Sequence, residues 1–193
     1  MKSSDNPCDS PKEHLSADLA SLVRHYIKVH RPRSEYELEY FKKMLFPSAL
    51  EKASLAINAQ GKRFSHQRRL TSESLNESKK RLSKTTIQLK DCRTFAELYD
   101  LVEGILHEVY GVNELYYYDT ALHLGASLGI CPEVVYLHRG TRDGAKALGL
   151  DWRSKTLDPK IFPHPIRKLR PHEIEDFLCI YKGHLKGKSN GQI

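Results

Sequence analysis

The sequence predicts an all-α fold, and three observations carry that expectation. Serine, threonine or asparagine repeatedly precedes apolar residues spaced three and four apart, several times with glutamate three places on, which is how an amphipathic helix opens. Glycine or proline stands where most of the apolar stripes stop. A single stretch, Val134-Val135-Tyr136-Leu137, reads as a strand, and it reads equally well as a helical turn. No internal repeat is present, and one compact multi-helix domain is expected over residues 10–182, between a loose start at 1–9 and a loose tail at 183–193.

The elements follow in order. Ser10-Pro11-Lys12-Glu13 offers a capping serine, proline at the first helical position and a reciprocating glutamate. Leu15, Leu19, Leu22, Val23, Tyr26 and Ile27 continue at helical spacing until Arg31-Pro32. Ser34 with Glu37 opens a second helix through Leu38, Phe41 and Leu45. Pro47 opens a third, running to about Asn58 and stopped by Gly61. Residues 62–70, KRFSHQRRL, are a basic connector. Thr71 or Ser72 caps a helix carrying Leu75 and Leu82.

Thr94 with Glu97 starts a strongly periodic helix bearing Phe95, Leu98, Val102, Ile105, Leu106 and Val109, broken at Tyr110-Gly111. Asn113 caps the next, whose stripe is Leu115, Tyr118, Leu122 and Gly125, closed by Gly129. Thr141 caps a short helix ending at Leu148-Gly149. Residues 151–169 hold three prolines and no periodicity, so a long ordered loop is expected. Pro171 begins the last helix, with Ile174, Phe177, Leu178 and Tyr181.

Composition bounds the function. No apolar run approaches the roughly 18–20 residues that span a bilayer, so no membrane partner is expected. The opening MKSSDNPCDSPKE has no apolar signal core, which points to the cytoplasm. Cys8, Cys92, Cys131 and Cys179 form no close pair, and the histidines are scattered. Neither a zinc site, an iron–sulfur cluster nor any other metal or cofactor is expected, and a monomer is favoured.

The net charge is +7, and its distribution says more than its sum. Residues 60–93 hold ten Lys and Arg against three acids, whereas 94–129 hold six acids and no Lys or Arg. Such a concentrated basic stretch suits a polyanion, nucleic acid above all; a solvated helical face carrying lysines reads the same way. Lys62, Arg63, His66, Arg68 and Arg69 are its densest part, and Phe64 among them is placed to stack or wedge.

The joint Tyr110-Gly111-Val112-Asn113 is the most informative motif. A glycine turn between two helices lets backbone N–H groups approach a phosphate, and the N-terminus of the second helix attracts the same charge. An ordinary antiparallel turn with a glycine C-cap has the same spacing. The stretch VYGVNELYYYDTALHLG resembles the helix-hairpin-helix motif of the DNA glycosylase superfamily that includes endonuclease III. There the turn reads hydrophobic-Pro-Gly-hydrophobic-Gly before a helix with Thr-Ala. Gly111 and Val112 match it, Tyr110 replaces the proline, Asn113 replaces the second glycine, and Thr120-Ala121 falls later. VVYLHRGTR resembles the family's Val-Asp-Thr-His segment, with His138 at its histidine.

The resemblance implies a DNA-glycosylase-like fold, double-stranded DNA as partner and excision of a damaged or modified base. Tyr136 stands where the family's catalytic aspartate falls and Leu115 near its lysine, so lyase chemistry is not implied. Over residues 45–182 the chain also resembles a group of uncharacterised bacterial helical proteins. The shared stretches run from Lys62 to Arg69, Gly111 to Gly125, Tyr136 to Leu150 and Glu173 to Lys182.

Asp119, amid Tyr116, Tyr117 and Tyr118, is the candidate catalytic carboxylate. Base excision passes through an oxocarbenium-like sugar that a carboxylate stabilises, and aromatic rings stack on a flipped base. His123, one helical turn on, is spaced to pair with it. A buried aspartate satisfying a loop N–H fits the same positions. His138 is a candidate to orient a water or bond the base, or simply a cap. Arg139, Arg142 and Lys146 extend the expected DNA contacts, while Glu173, Glu175 and Asp176 read as complements to a helix dipole.

A monofunctional glycosylase is the leading expectation. A non-catalytic hairpin protein and a helical protein that binds another protein or RNA through its basic stretch are the alternatives.

Overall fold

The computed structural model describes residues 18–186, so the capping signal at Ser10 and the segments 1–9 and 187–193 lie outside the described residues. These residues form nine α-helices and one two-stranded antiparallel sheet, which is the all-α character expected. They fall into two compact units, one of residues 34–132 and one built from 18–33 with 133–186.

The unit of 34–132 holds all but the first three residues of α2 (Arg31–Lys42), then α3 (Phe46–Ser54), α4 (Ser72–Lys84), α5 (Thr86–Asp91), α6 (Phe95–Leu106) and α7 (Glu114–Leu128). α6 packs along α7, and α3 packs on both α7 and α4. Phe41, Leu50, Leu75, Leu82, Leu98, Val102, Leu106 and Leu124 fill the core, each at most 4% exposed. The α6 start is as expected: the Thr94 hydroxyl accepts from the Glu97 N–H, and the Glu97 carboxylate reaches back to the Thr94 N–H. α7 is capped by Asn113 and ends at Gly129, whose φ of +73° puts it in the left-handed region glycine favours.

Several boundaries differ from the sequence reading. The first helix, Leu19–Val29, does stop just before Arg31-Pro32, but the second begins there at once, with Pro32 as the second residue of α2, where a missing N–H costs nothing. Ser34 and Glu37 therefore open no helix, and the Glu37 carboxylate accepts instead from the Ala59 N–H at 2.6 Å. α3 stops at Ser54, short of Asn58, because Ala56 takes a positive φ of 52° and Ile57 pairs with Arg63 across a tight turn. The Asn58 side chain builds that turn, accepting from the Gln60 and Lys62 N–H groups at 3.0 Å each.

The other unit has α1 (Leu19–Val29), capped by Asp18, then β1 (Val135–Tyr136), α8 (Arg139–Ala147), β2 (Thr156–Leu157) and α9 (Pro171–Tyr181). The VVYL stretch resolves as a strand: Val135 pairs with Leu157 and Tyr136 with Thr156. The 151–169 segment is thus an ordered connection that contributes β2 and two short 3-10 turns. Its core joins Leu22, Val23 and Tyr26 of α1 to Val135, Leu148, Phe162, Ile174, Phe177, Leu178 and Tyr181. Leu185, within the expected loose tail, is fully buried in it. α8 and α9 touch closely at Gly144, where a Cβ would lie 2.6 Å from the Leu178 carbonyl oxygen.

Candidate nucleic-acid site

The basic connector is an ordered segment. After the Ile57–Arg63 pairing the chain makes one 3-10 turn, Ser65–Gln67, and enters α4 through the Thr71 cap. Arg63 braces it by donating from Nη1 to the Leu70 carbonyl at 2.7 Å. Lys62, Arg68 and Arg69 are exposed, so three cations of the expected phosphate track face solvent.

Asp119, on α7, reaches this connector. Its Oδ2 accepts from Gln67 Nε2 at 2.6 Å and lies 2.7 Å from His66 Nε2. Since a carboxylate only accepts, the His66 proton on that side sits on Nε2. The Asp119 side chain is 19% exposed and that of His66 31%, so the pair is partly buried, with His66 the more open of the two. Burial pushes the Asp119 carboxyl up, but the nearby His66, with His123 and the Gln67 amide, outweighs it and holds the group below its ordinary value. Asp119 is therefore ionised at neutral pH.

His123 takes a different role from the pairing its spacing suggests. Its ring stacks on Phe41, with centroids 4.2 Å apart, and is 6% exposed. Burial lowers it to about 4, against the opposing pull of Asp119. Phe64 is stacked on His123 too, and is half-buried rather than projecting as a wedge.

Tyr116, Tyr117 and Tyr118 are core residues, 1%, 7% and 2% exposed. Tyr116 donates its hydroxyl to the Ser54 carbonyl at 2.5 Å, tying α7 to α3. The base-stacking faces expected of these rings are covered by protein. Their run of three reflects an α7 buried on most sides, since Thr120, Ala121, Leu124 and Gly125 are buried as well.

The helix joint is fastened to α4 and is followed by an acid in the first turn of α7. α6 ends at Leu106, and Gly111 turns the chain with φ +85°. The Ser74 hydroxyl of α4 donates to the Tyr110 carbonyl at 2.7 Å, fastening the joint to the helix after the connector. Tyr110 itself is 93% exposed. The Asn113 side chain accepts from the Leu115 and Tyr116 N–H groups, occupying donors a phosphate would need, and Glu114 follows in the first turn. The Val112 N–H donates to the Val109 carbonyl at 3.5 Å, so of the two residues that match the motif only Gly111 keeps its N–H for an anion.

The remaining candidates belong to the other unit. His138 is not presented to a water or a base: it is 4% exposed and its Nε2 is hydrogen-bonded to Glu175 Oε1. It caps α8, and Thr141 sits three residues into the helix rather than at its cap, its hydroxyl accepting from the His138 N–H at 2.7 Å. Arg139 and Lys146 are exposed and Arg142 partly so. Trp152 lies beneath the Lys146 ammonium at 5.2 Å and the Arg153 guanidinium at 4.4 Å.

Glu173, Glu175 and Asp176 are not simple dipole partners. Glu173 is gripped by Arg31 at 2.6 Å and Arg170 at 2.9 Å, Glu175 by His138, and Asp176 accepts from the Tyr26 hydroxyl at 3.0 Å. Burial opposes the Glu173 charge, yet the two arginines bring the group down to about 2.

Among the described residues no helix is long and apolar enough to cross a membrane. Compared with protein-family models, with curated proteins and with solved structures, the chain finds no match. Sequence reasoning missed Gln67 and Phe41 as partners of the site. Gln67 stands beside His66 in a recognised basic segment, but nothing in local spacing ties it to α7.

Proposed function

We propose that the chain binds double-stranded DNA and is a monofunctional DNA glycosylase, with Asp119 as its carboxylate. What supports this reading is the tie between Asp119 and the basic connector: His66 and Gln67 hold the carboxylate on the segment that exposes Lys62, Arg68 and Arg69. An ionised carboxylate stabilises positive charge developing at the sugar C1′. Water adds to C1′, the bond to the base nitrogen breaks, and the water's proton passes to the departing base. Asp119 suits electrostatic stabilisation and not proton donation, because its carboxyl lies below its ordinary value.

One observation favours a second reading, a DNA-binding protein without chemistry. The three tyrosines offer no open ring to an extruded base. The two readings part in one experiment, in which duplexes carrying single damaged or modified bases are incubated with the protein and assayed for abasic sites and for binding. The enzyme reading expects abasic sites from the wild type, none from Asp119→Asn, and similar duplex affinity in both. Binding without abasic sites on any duplex supports the second reading. Equal activity in wild type and variant overturns the role of Asp119.

A further inference from the structure

Residues 34–132 contain a cavity of about 240 Å³ lined by Leu55, Ile57, Arg63, Ser72, Leu75 and Asn76. Neither Asp119 nor the tyrosines line it, and the chemistry above does not use it. Its wall is uneven. Leu55, Ile57 and Leu75 make an aliphatic side, while Arg63, Ser72 and Asn76 bring donors and acceptors together. An apolar surface with a few convergent polar groups is the usual make-up of a small-ligand site.

The polar groups have capacity to spare. Arg63 uses Nη1 on the Leu70 carbonyl and forms no ion pair with the described residues, so most of its donors are open to an anion. The Asn76 amide and the Ser72 hydroxyl form no hydrogen bond with the described residues. The volume lies below the roughly 300–1,000 Å³ of drug-sized pockets and the cavity is open to solvent, so it encloses about one ring of a ligand and leaves the rest of it outside.

We infer that this cavity binds a single nucleotide, its phosphate on Arg63 and its base against Leu55 and Ile57, with the Asn76 amide on the base edge. The amide is donor and acceptor at once, which matches a heterocycle edge better than it matches a plain carboxylic acid. The exposed Lys62, Arg68 and Arg69 on the Arg63 segment raise the local concentration of phosphate esters. The nucleotide comes either free or as part of a strand. Only the strand source rests on the DNA-binding reading.

The test is calorimetric titration at low salt with adenosine 5′-monophosphate, adenosine, and a five-nucleotide single strand. The proteins are wild type, Arg63→Gln, Asn76→Ala and Asn76→Trp, each checked for folding by circular dichroism. Asn76 is exposed, so its variants keep the test valid if Arg63→Gln does not fold. The free source predicts that the monophosphate binds more tightly than adenosine. Arg63→Gln should then weaken the monophosphate by about ten-fold or more, and Asn76→Trp should block both ligands. The strand source predicts binding of the oligonucleotide alone, again blocked by Asn76→Trp. Equal affinity for monophosphate and adenosine, binding indifferent to the Asn76 variants, or no binding of either phosphate probe overturns the assignment. Duplex affinity of the same variants separates the two ideas, since the cavity can fail while DNA binding stands.

Discussion

His123 lies face to face with Phe64, the ring centroids 4.9 Å apart and the planes 11° from parallel. The imidazole is thereby kept neutral, lowered from its ordinary 6.5 to about 4 by burial. The unfolded chain binds a proton near pH 6.5 that the folded chain refuses until about pH 4. The stability from this group is therefore complete above pH 6.5 and is lost progressively as pH falls to about 4. Some 2.5 pH units correspond to about 3 kcal/mol. Thermal melts across that window should show the midpoint falling with pH in the wild type and falling distinctly less in His123→Phe. A parallel fall in both would remove His123 as the cause.

Asp119 titrates with the same sign in a lower window. Its folded value is depressed, so its contribution is present above the ordinary 3.8 and disappears as pH falls through the folded value. Asp119→Asn should cost about 1–3 kcal/mol at neutral pH, because one oxygen receives both His66 and Gln67. The gap between wild type and variant should close in acid. Denaturant titrations at neutral pH and near pH 3 check this, and a gap that widens in acid contradicts it.

The exposed connector cations set a salt dependence. If Lys62, Arg68 and Arg69 each neutralise a phosphate, their combined replacement by alanine removes about 0.9 per contact from the slope of log affinity against log salt, between two and three in all. Fluorescence anisotropy with labelled duplex across a salt series measures it. An unchanged slope would place the phosphate track elsewhere, the exposed Arg139 and Lys146 of α8 being the next candidates.

The joint is conformationally selective. Gly111 has φ +85°, and a Cβ there would lie 3.3 Å from Ser74 Oγ. Gly111→Ala should destabilise the unit of 34–132 by about 1–2 kcal/mol through backbone strain alone. Ser74→Ala should cost about 1 kcal/mol for the lost bond to the Tyr110 carbonyl. Because the alanine Cβ would also crowd that hydroxyl, the double variant should lose less than the sum of the two, read from urea unfolding.

The local parts of this fold were legible and the distant ones were not. Capping at Thr71, Thr94 and Asn113, the stop at Gly129 and the start at Pro171 are written in neighbouring residues, and each is found. Arg31-Pro32 marks the end of α1, but the start of α2 was less legible, because the same proline also suits the first turn of the next helix. Asp119 was recognisable as a carboxylate among aromatics, but its partners lie some fifty residues earlier and no spacing rule reaches them. The tyrosines were misjudged in role because an aromatic run does not say which side of a helix is covered; α7 buries all three.

The unit that holds α1, α8 and α9 is discontinuous, with residues 34–132 spliced into it. A ribosome releases the spliced segment whole before it makes α9. The inner unit can condense during synthesis while α1 waits, its Leu22, Val23 and Tyr26 without the Ile174, Phe177 and Tyr181 they are to meet. That interval leaves an amphipathic helix unsheltered, and how long it lasts depends on how quickly the intervening codons are read. Slow codons within residues 34–132 would therefore lower the yield of folded protein even though every amino acid is unchanged.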